Sequence, residues 1–572
     1  MLNRLTIFIF SLLGLSFLMP GHFPPWTSWH SEAIAYLAVL VLAWKALLFP
    51  INSDAVNRLA LPLLALPLWF LFFIAALQWG AGQIPWSGQV FVVFFYTLLC
   101  TICLAFGFSE YAVPSAQSFQ IKSADLLGGL ACSMLFVATC SVFIALCQAF
   151  SLWESSAWIV RMHGLRRPGG NLGQPNHLAT LLVMGMASAA YLHARVRWSV
   201  TTTVCIMLLL GAGLAATESR TGLLSLLVLL AWWLWKQPLV ALHASRWGAV
   251  GLTAVLLAMF AAWPTLFNTV HMMGDGAIEN RLSSMSDSRF QIWPQLGGAA
   301  LQKPWWGWGI NQTAQAHNAV AHRYGASAPF TFSHNLVLDI ALWVGLPLTA
   351  LFVMVAAVWV WRRARATHDI IPWYGLAIAL PVAVHSMLEY PYAYAYFLAP
   401  VMLGLGSAEG ALAGGLWMRL RWKSATAILL ITTGLMAWSA VEYLKAEEDF
   451  RVARFEMLRL GQTPSTYERP KIVLLNQLGA LLDSIRIPLK IDMKESELDL
   501  LRTVALHYPL ATTAYRYAMA LALNGNTAEA VRQLQVMRAQ YSINNYINFC
   551  RQMENGLAQS KIDWRPDCSA DQ

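Results

Sequence analysis

The chain has 572 residues, of which 58% are hydrophobic and 12% are charged, and its mean hydropathy is +0.52. Because a soluble protein carries roughly a quarter of its residues as charged groups, this composition excludes a water-exposed globule and predicts a protein that lies largely in lipid. Most of the net charge of +9 falls in short loops between apolar segments, which indicates a membrane-orientation signal and no nucleic-acid partner.

Apolar segments of about 20 residues predict transmembrane helices. About thirteen such segments follow one another along the chain, at approximately 3–20, 31–49, 59–78, 90–108, 126–150, 177–193, 199–216, 221–236, 247–266, 335–361, 371–388, 394–413 and 425–442. We therefore predict an all-α polytopic membrane protein, with a transmembrane domain over residues 1–442.

The positive charges follow the alternation of these segments. If the spans alternate, one side of the membrane receives Arg4, Lys45, Arg58, Lys122, Arg195, Arg197, Lys236, Arg246, Arg362, Arg363, Arg365, Arg419, Arg421 and Lys423. The short loops near 21–30 and 79–89 contain no Lys or Arg. The positive-inside rule makes the charged side cytoplasmic and predicts that the tail lies outside the cytoplasm.

Residues 443–572 form a predicted soluble helical domain. The sequence 511–530 indicates a helix, an Asn-Gly stop and a second helix capped by Asn526. This hairpin is typical of one tetratricopeptide-like unit, although a stable array needs about three, so acceptor docking and plain packing both remain open. Cys550 and Cys568 could form a disulfide in an oxidising compartment. No cysteine pair has metal-ligand spacing with a histidine, so we expect no metal.

Four polar segments interrupt the apolar pattern, all on the predicted outer face. They are the Gly/Pro-rich segment 161–177, the turn 218–222, the long loop at about 267–334 and the segment 385–392. The basic residues of this face are Arg161, Arg166, Arg167, Arg220, Arg281, Arg289, Lys303 and Arg323. Arginines near membrane depth are costly unless an anion offsets them, and guanidinium binds phosphate oxygens bidentately. Their convergence predicts a diphosphate site.

Several of these residues also have a simpler structural interpretation. Arg220 could pair with Glu218 in a turn salt bridge, and Arg289 could be a solvated loop charge. His177 could lie beside a helix cap, and an interfacial histidine such as His334 is often structural. The functional interpretation is favoured because three arginine-bearing segments and one carboxylate-bearing segment share one predicted face.

The segment Gly170-Asn-Leu-Gly-Gln-Pro-Asn-His-Leu-Ala-Thr-Leu-Leu182 resembles the pilin-glycosylating, PglL-type branch of the Wzy_C superfamily of O-antigen ligases, O-antigen polymerases and O-linked oligosaccharyltransferases. Other segments that resemble the superfamily core, in order, are 217–222, 288–293, 304–310 and 333–339. The resemblance covers about residues 1–445. It implies a GT-C-type membrane fold, an undecaprenyl-diphosphate-linked glycan donor and no metal ion or other cofactor.

The resemblance also implies roles for individual residues. Arg220 and Arg289 would bind the donor diphosphate, and His334 would be the essential histidine of the large loop. The remaining substrate-binding candidates are Arg166, Arg167, Gln174, Asn176, His177, Arg281, Asn335, Glu389 and Tyr392. An imidazole has a pKa near neutrality and suits general-base work on an acceptor hydroxyl, so His334 is the predicted base.

These features predict an O-oligosaccharyltransferase that acts on Ser or Thr of pilin-like or other periplasmic proteins. An O-antigen ligase would use the same core to transfer glycan to lipid A–core, and an O-antigen polymerase would extend the glycan itself. The C-terminal tail favours the protein-modifying branch. A polyprenyl-glycan transporter is disfavoured, because it should carry ionisable residues at mid-span.

Overall fold

The computed structural model describes residues 4–21, 24–48, 58–112, 126–153, 156–161, 167–240, 242–271, 279–541 and 543–568, without the side chains of residues 58, 270–290 and 417. In these described ranges, seventeen α-helices begin before residue 443. They are Arg4–Leu18 (α1), Trp29–Leu48 (α2), Leu66–Gly80 (α3), Ser87–Tyr111 (α4), Leu126–Ala149 (α5), Pro175–Val196 (α6), Val200–Thr217 (α7), Arg220–Lys236 (α8), Arg246–His271 (α9), Glu279–Gln302 (α10), Thr313–Ala321 (α11), Leu336–Val344 (α12), Leu346–Ala366 (α13), Ile370–Ala377 (α14), Leu380–Ser386 (α15), Ala395–Ala411 (α16) and Trp422–Met457 (α17).

Within these described ranges, nine helical segments are long and apolar enough to cross a bilayer. They are Trp29–Leu48, Leu63–Gly80, Ser87–Tyr111, Leu126–Ala149, Pro175–Val196, Val200–Thr217, Arg246–Thr269, Leu346–Ala366 and Trp422–Met457. The other predicted spans correspond to shorter helices, namely α1, α8, α14 with α15, and α16. The protein is therefore a helical, multi-pass membrane protein, and the count of thirteen spans stays a prediction.

The predicted segment 335–361 consists of two helices, because the chain breaks at Gly345. This glycine has φ +85°, and a Cβ on it would lie 2.5 Å from the Trp305 backbone. The next N–H, from Leu346, donates to the Pro304 carbonyl at 2.7 Å. The break follows from this close backbone approach, which only glycine permits.

The long loop predicted at about 267–334 is only partly a loop. Helix α9 continues to His271, and α10 and α11 occupy much of the remainder. In α10 the buried residues Ile292, Leu296 and Ala300 recur every four positions, which is the spacing of one helical face. A search for long apolar segments misses this amphipathic helix.

The chain also forms one short antiparallel ribbon that the all-helical prediction did not include. Strand β1 (Arg58–Pro62) pairs with β2 (Leu416–Arg421), with Arg58 opposite Arg421. Both strands adjoin apolar helices, and their pairing satisfies backbone groups that helices cannot cover there.

The described structure divides into two compact units. The first unit comprises residues 1–71, 94–274 and 355–437, and the second comprises residues 72–93, 275–354 and 438–572. In the first unit, α6 is almost completely buried and packs against α5, α7, α8 and α14. Small residues permit these close contacts: a Cβ at Gly185 would lie 2.5 Å from that of Ala138. The division at residue 442 remains a prediction.

In the second unit the tail forms five helices, Asn476–Arg486 (α18), Glu495–His507 (α19), Ala511–Leu523 (α20), Thr527–Gln540 (α21) and Ile543–Gln559 (α22). The predicted hairpin is confirmed as α20 and α21: Gly525 has φ +81°, and the Asn526 side chain accepts the Glu529 N–H. Cys550 and Cys568 are joined by a disulfide. Around Cys550 pack Met519, Met537 and Met553.

Glu442, at the end of α17 that belongs to the second unit, holds the start of the tail. Its carboxylate accepts the N–H groups of Val473, Leu474 and Leu475 at 2.9, 2.8 and 3.1 Å. The Trp438 indole also donates to it, at 3.0 Å. Glu442 is buried, so these charge-assisted bonds offset the cost of burying a carboxylate.

Helix α21 of the tail packs against α11. Between them lies His317, which is fully buried. Its Nδ1 is 3.2 Å from the Gln540 amide nitrogen, and its Nε2 is 3.1 Å from Gln295 Oε1 and 2.9 Å from the Ser327 hydroxyl. Burial lowers the pKa of His317 to about 4, so the imidazole is neutral at physiological pH.

We expect Glu442→Ala to destabilise the tail by about 3 kcal/mol or more, because three N–H groups lose their acceptor, two of them in buried hydrogen bonds. The melting temperature of the purified full chain and the protease resistance of the tail would report this. Glu468→Ala, which removes an exposed tail carboxylate, is the control. Equal melting temperatures for the two variants would contradict the role assigned to Glu442.

Stability should also depend on His317 as the pH falls. The unfolded chain binds a proton at this imidazole near its ordinary pKa of 6.5, whereas the folded chain binds it only near 4. The stabilisation is therefore complete above pH 6.5 and is lost as the pH falls towards 4. A melting-temperature series over this range should fall less steeply for His317→Gln than for the parent or for the exposed-site control His368→Gln. Parallel curves would disprove this assignment.

Candidate functional site

The Gly-rich segment that precedes α6 is held rigidly within the first unit. Asn171 donates to the carbonyls of Leu18 at 2.6 Å and Trp158 at 2.8 Å, and it accepts the Val160 N–H at 3.2 Å. The Gln148 side-chain amide donates to the Gly170 carbonyl and accepts the Gly170 N–H. Asn171 is buried, so it supports the segment and does not face a ligand.

The first turn of α6 carries three predicted site residues. Gln174 is the N-cap, and its side-chain oxygen accepts the His177 N–H at 2.7 Å. Asn176 accepts the Ser219 hydroxyl at 2.7 Å and donates to Glu389 at 3.3 Å. Asn176 thereby joins the starts of α6 and α8 to the buried carboxylate of the fourth polar segment.

Arg220 is the first residue of α8. The preceding Ser219 caps this helix and accepts the Gly222 N–H at 3.0 Å, while Glu218 has φ +48° and ends α7. Arg220 is exposed, and within the part of the chain that the structure describes it forms no ion pair with Glu218. The proposed turn salt bridge is therefore absent there.

A cation at a helix N-terminus adds to the positive end of the helix dipole and is unfavourable unless an anion is present. The start of α8 has this arrangement at Arg220, and the N-terminus of α6 is joined to it by the bond between Asn176 and Ser219. Two helix N-termini and one guanidinium favour phosphate oxygens at this point.

The other predicted arginines are only partly described. Arg167 is half-buried, and its Nε donates to the Thr217 carbonyl at 2.8 Å, immediately before the turn that carries Arg220. Arg166 lies outside the described residues. Arg281 and Arg289 lie in α10 of the second unit, but their side chains are outside the description.

His177 lies in the core of the first unit. It is 4% exposed, and its ring centroid is 4.9 Å from that of Tyr394 and 5.3 Å from that of His385. His385 is itself buried and hydrogen-bonded to Thr180 at 2.8 Å. Tyr392 is half-buried in the turn Pro391–Ala393. Burial favours packing as the role of His177, and its place in a ligand cleft remains a prediction.

In the second unit, His334 lies in a tight turn into α12. It is half-buried and has φ +60°. The preceding Ser333 N–H donates to both oxygens of Asp339 at 2.9 and 3.1 Å, and the following Asn335 caps α12 by accepting the Leu338 N–H at 3.0 Å. The backbone on both sides of His334 is therefore fixed.

Helix α10 is connected to this turn. The Trp293 indole donates to the Ser333 carbonyl at 3.0 Å, and Arg289 precedes Trp293 by one helical turn. Two segments that the sequence singled out separately, 288–293 and 333–339, thus meet in the second unit.

Three residues that hold these turns were missed at the sequence level. Ser219 was detectable, because serine before an apolar run is a common N-cap. Asp339 was detectable as a carboxylate inside an apolar segment; it is fully buried and also accepts the Thr313 hydroxyl at 2.9 Å. Nothing in the sequence indicates the carbonyl of Thr217 as a partner of Arg167.

Three known families match successive parts of the chain. Residues 168–193 match the protein glycosylation ligase family, residues 205–353 match the O-antigen ligase family, and residues 373–548 match the virulence factor membrane-bound polymerase family in its C-terminal part. The first match contains the start of α6, and the second contains both Arg220 and His334. The third contains Glu389 and continues into the tail.

Two proteins of Acinetobacter baylyi are similar over most of their length. A general O-oligosaccharyltransferase is 25% identical over 539 residues, which cover 91% of this chain and 90% of that protein. A ComP-specific O-oligosaccharyltransferase is 26% identical over 403 residues, 68% of each chain. By these matches, this multi-pass membrane protein is similar to O-antigen ligases and to protein glycosylation ligases, and to two O-oligosaccharyltransferases over most of its length.

Proposed function

We propose that this protein is a membrane O-oligosaccharyltransferase. It moves a glycan from an undecaprenyl-diphosphate carrier to a Ser or Thr hydroxyl of a periplasmic or pilin-like protein. The observation that carries the proposal is the junction of the α6 and α8 N-termini at Asn176 and Ser219, beside the exposed Arg220. The similarity to two O-oligosaccharyltransferases supports it.

The junction suits a lipid diphosphate. As the anomeric bond breaks, negative charge grows on the departing diphosphate, and fixed positive groups that precede the reaction stabilise that charge. Arg220 and the two helix ends supply such groups in the first unit, and Arg166 and Arg167 lie next to them in the sequence. For Arg281 and Arg289 of α10, diphosphate binding remains a prediction from the sequence. Guanidinium groups can do this without a divalent cation.

The acceptor step needs a base. The acceptor oxygen forms a bond to the anomeric carbon, the bond from that carbon to the diphosphate oxygen breaks, and undecaprenyl diphosphate leaves with the electron pair. The hydroxyl proton passes to the imidazole of His334, and the single displacement inverts the anomeric configuration. The fixed turn around His334 supports this role, because a base must be held within reach of its proton.

The same proposal includes the location of the protein. The regular placement of Lys and Arg favours the inner membrane, with the polar segments and the tail in the periplasm. The disulfide between Cys550 and Cys568 supports an oxidising compartment for the tail.

A reconstituted transfer assay tests both the proposed activity and the residues proposed to carry it out. Purified protein, undecaprenyl-diphosphate glycan and EDTA would be offered pilin-like protein and lipid A–core as competing acceptors. We expect labelled Ser or Thr on the protein. His334→Ala should lower the rate by roughly 10²–10⁴-fold, and Arg220→Ala and Arg289→Ala by roughly 10²–10³-fold.

Arg362→Ala, which removes an exposed arginine at the other predicted face, is the matched control and should retain the parental rate. Label on lipid A–core alone would identify an O-antigen ligase instead. Absence of transfer to either acceptor would contradict both an O-oligosaccharyltransferase and an O-antigen ligase.

Substitutions of Asn171 and Asn176 distinguish a role in stability from a role in donor binding. Asn171→Ala should lower the melting temperature, because it removes the three hydrogen bonds of a buried side chain. Asn176→Ala should leave the melting temperature nearly unchanged but raise the KM for the donor, because it breaks the link between α6 and α8. Thermal melting and donor titration measure both effects. A donor KM unchanged in Asn176→Ala would exclude this junction from the donor site.

A further inference from the structure

The chain that leads to His334 is attached to the C-terminal tail within the second unit. The Ser327 N–H donates to the Ala539 carbonyl at the end of α21, at 2.8 Å. One residue earlier, the Ala326 carbonyl accepts the Gln295 amide of α10 at 2.9 Å. The segment 325–334 is thus anchored by α21 on one side and by α10 on the other.

His317 completes this anchorage. Since the Gln540 amide nitrogen lies 3.2 Å from Nδ1, we assign the imidazole proton to Nε2, where the Gln295 oxygen and the Ser327 hydroxyl can accept it. The Ser327 hydroxyl also donates to Gln295 at 2.8 Å. Four side chains from α10, α11, α21 and the 325–334 segment therefore form one buried hydrogen-bonded group, and only Gln540 comes from the tail.

Phe330 connects this group to His334. Its ring centroid is 6.3 Å from that of His317 and 5.0 Å from that of His334, with the His334 ring nearly perpendicular at 88°. A displacement of His317 would move Phe330 and so alter the surface against which the His334 imidazole packs.

A second contact fixes α21 one to two turns earlier. Gln533 and Asn318 exchange side-chain hydrogen bonds at 3.1 and 3.3 Å, and Arg532 reaches the Asn318 carbonyl at 3.3 Å. Arg532 is paired with Glu529 at 2.6 Å. Helix α21 is therefore held along its length by α11, so loss of the bond from Gln540 alone need not release it.

The backbone at His334 makes such support necessary. A non-glycine residue in the left-handed region costs about 1–2 kcal/mol, and it persists only where its surroundings enforce it. Ser333 and Asn335 are bonded on either side, but the preceding segment depends on His317 and the tail.

We propose that helix α21 of the tail is a positioning element for His334, acting through the Gln540 amide, His317 and Phe330. The tail then belongs to the reaction machinery of the second unit, whatever else it binds. This inference rests on the proposed function, because it assumes that His334 acts in transfer.

The test is a kinetic comparison of full-length variants. Gln540→Ala should lower kcat by roughly 10- to 100-fold, the effect of a small misplacement of a reacting group, while the donor KM stays at the parental value. Gln535→Ala is the control, since Gln535 lies on the exposed side of the same helix. It should match the parent in kcat, in KM and in melting temperature.

The pH dependence of transfer in Gln540→Glu distinguishes a positioning role from simple destabilisation. The carboxylate keeps the shape of glutamine but opposes the Nδ1 lone pair, so transfer at pH 7.5 should be as poor as in Gln540→Ala. At pH 6, protonation of His317 beside the new carboxylate should restore transfer relative to the parent. The charged and titratable groups of the flanking helices, Glu529, Arg532 and Arg538 of α21 and His322 at the end of α11, are unchanged by the substitution, and Glu529 pairs with Arg532.

The outcomes separate this inference from the proposed function. If the parent transfers no glycan, the proposed function fails. If the parent transfers and Gln540→Ala matches it in kcat, the positioning role is wrong. If Gln540→Ala lowers kcat only together with the melting temperature, and Gln540→Glu shows no recovery at pH 6, Gln540 has a merely structural role and the proposal is overturned.

Discussion

A bilayer offers no hydrogen-bonding partner to a peptide group, so every backbone N–H and C=O in it must be satisfied by the protein. This constraint explains why the polar chemistry of this chain is concentrated where helices begin. At a helix start the first N–H groups have no partner within the helix, and a capping side chain satisfies only part of them. Gln174, Ser219 and Asn335 are these caps for α6, α8 and α12.

The three caps share a local geometry. Each follows a residue in the left-handed region, namely Gly173 at φ +68°, Glu218 at +48° and His334 at +60°. Such a residue turns the chain sharply immediately before the helix. The side chains at this turn therefore lie at the end of the helix and not along its side. Glycine adopts this conformation at little cost, but glutamate and histidine do so only when their neighbours are fixed. Buried bonds to Thr217 and Asp339 fix those neighbours.

The sequence was informative where composition carries the signal. Apolar length indicated most spans, and the Gly-Asn-Leu-Gly-Gln-Pro-Asn-His segment indicated the branch of the superfamily. The sequence was uninformative where contacts between distant segments determine where helices begin and end. The break at Gly345 depends on the approach of the Trp305 backbone, and α10 is too polar to be found as a span. The burial of His177 was not predictable, because Tyr394 and His385, which pack against it, are distant in the chain.

The contacts of the tail bear on what this domain contributes to the protein. A domain that only recruits an acceptor could be joined by a flexible linker, since tethering alone raises the local concentration of the bound partner. Here the start of the tail is instead bound to Glu442 by three backbone bonds, and α21 is bound to α11 by a buried histidine and two amide side chains. Such rigid attachment would be unnecessary for recruitment alone, and it is what a structure that sets the geometry of a reactive turn requires.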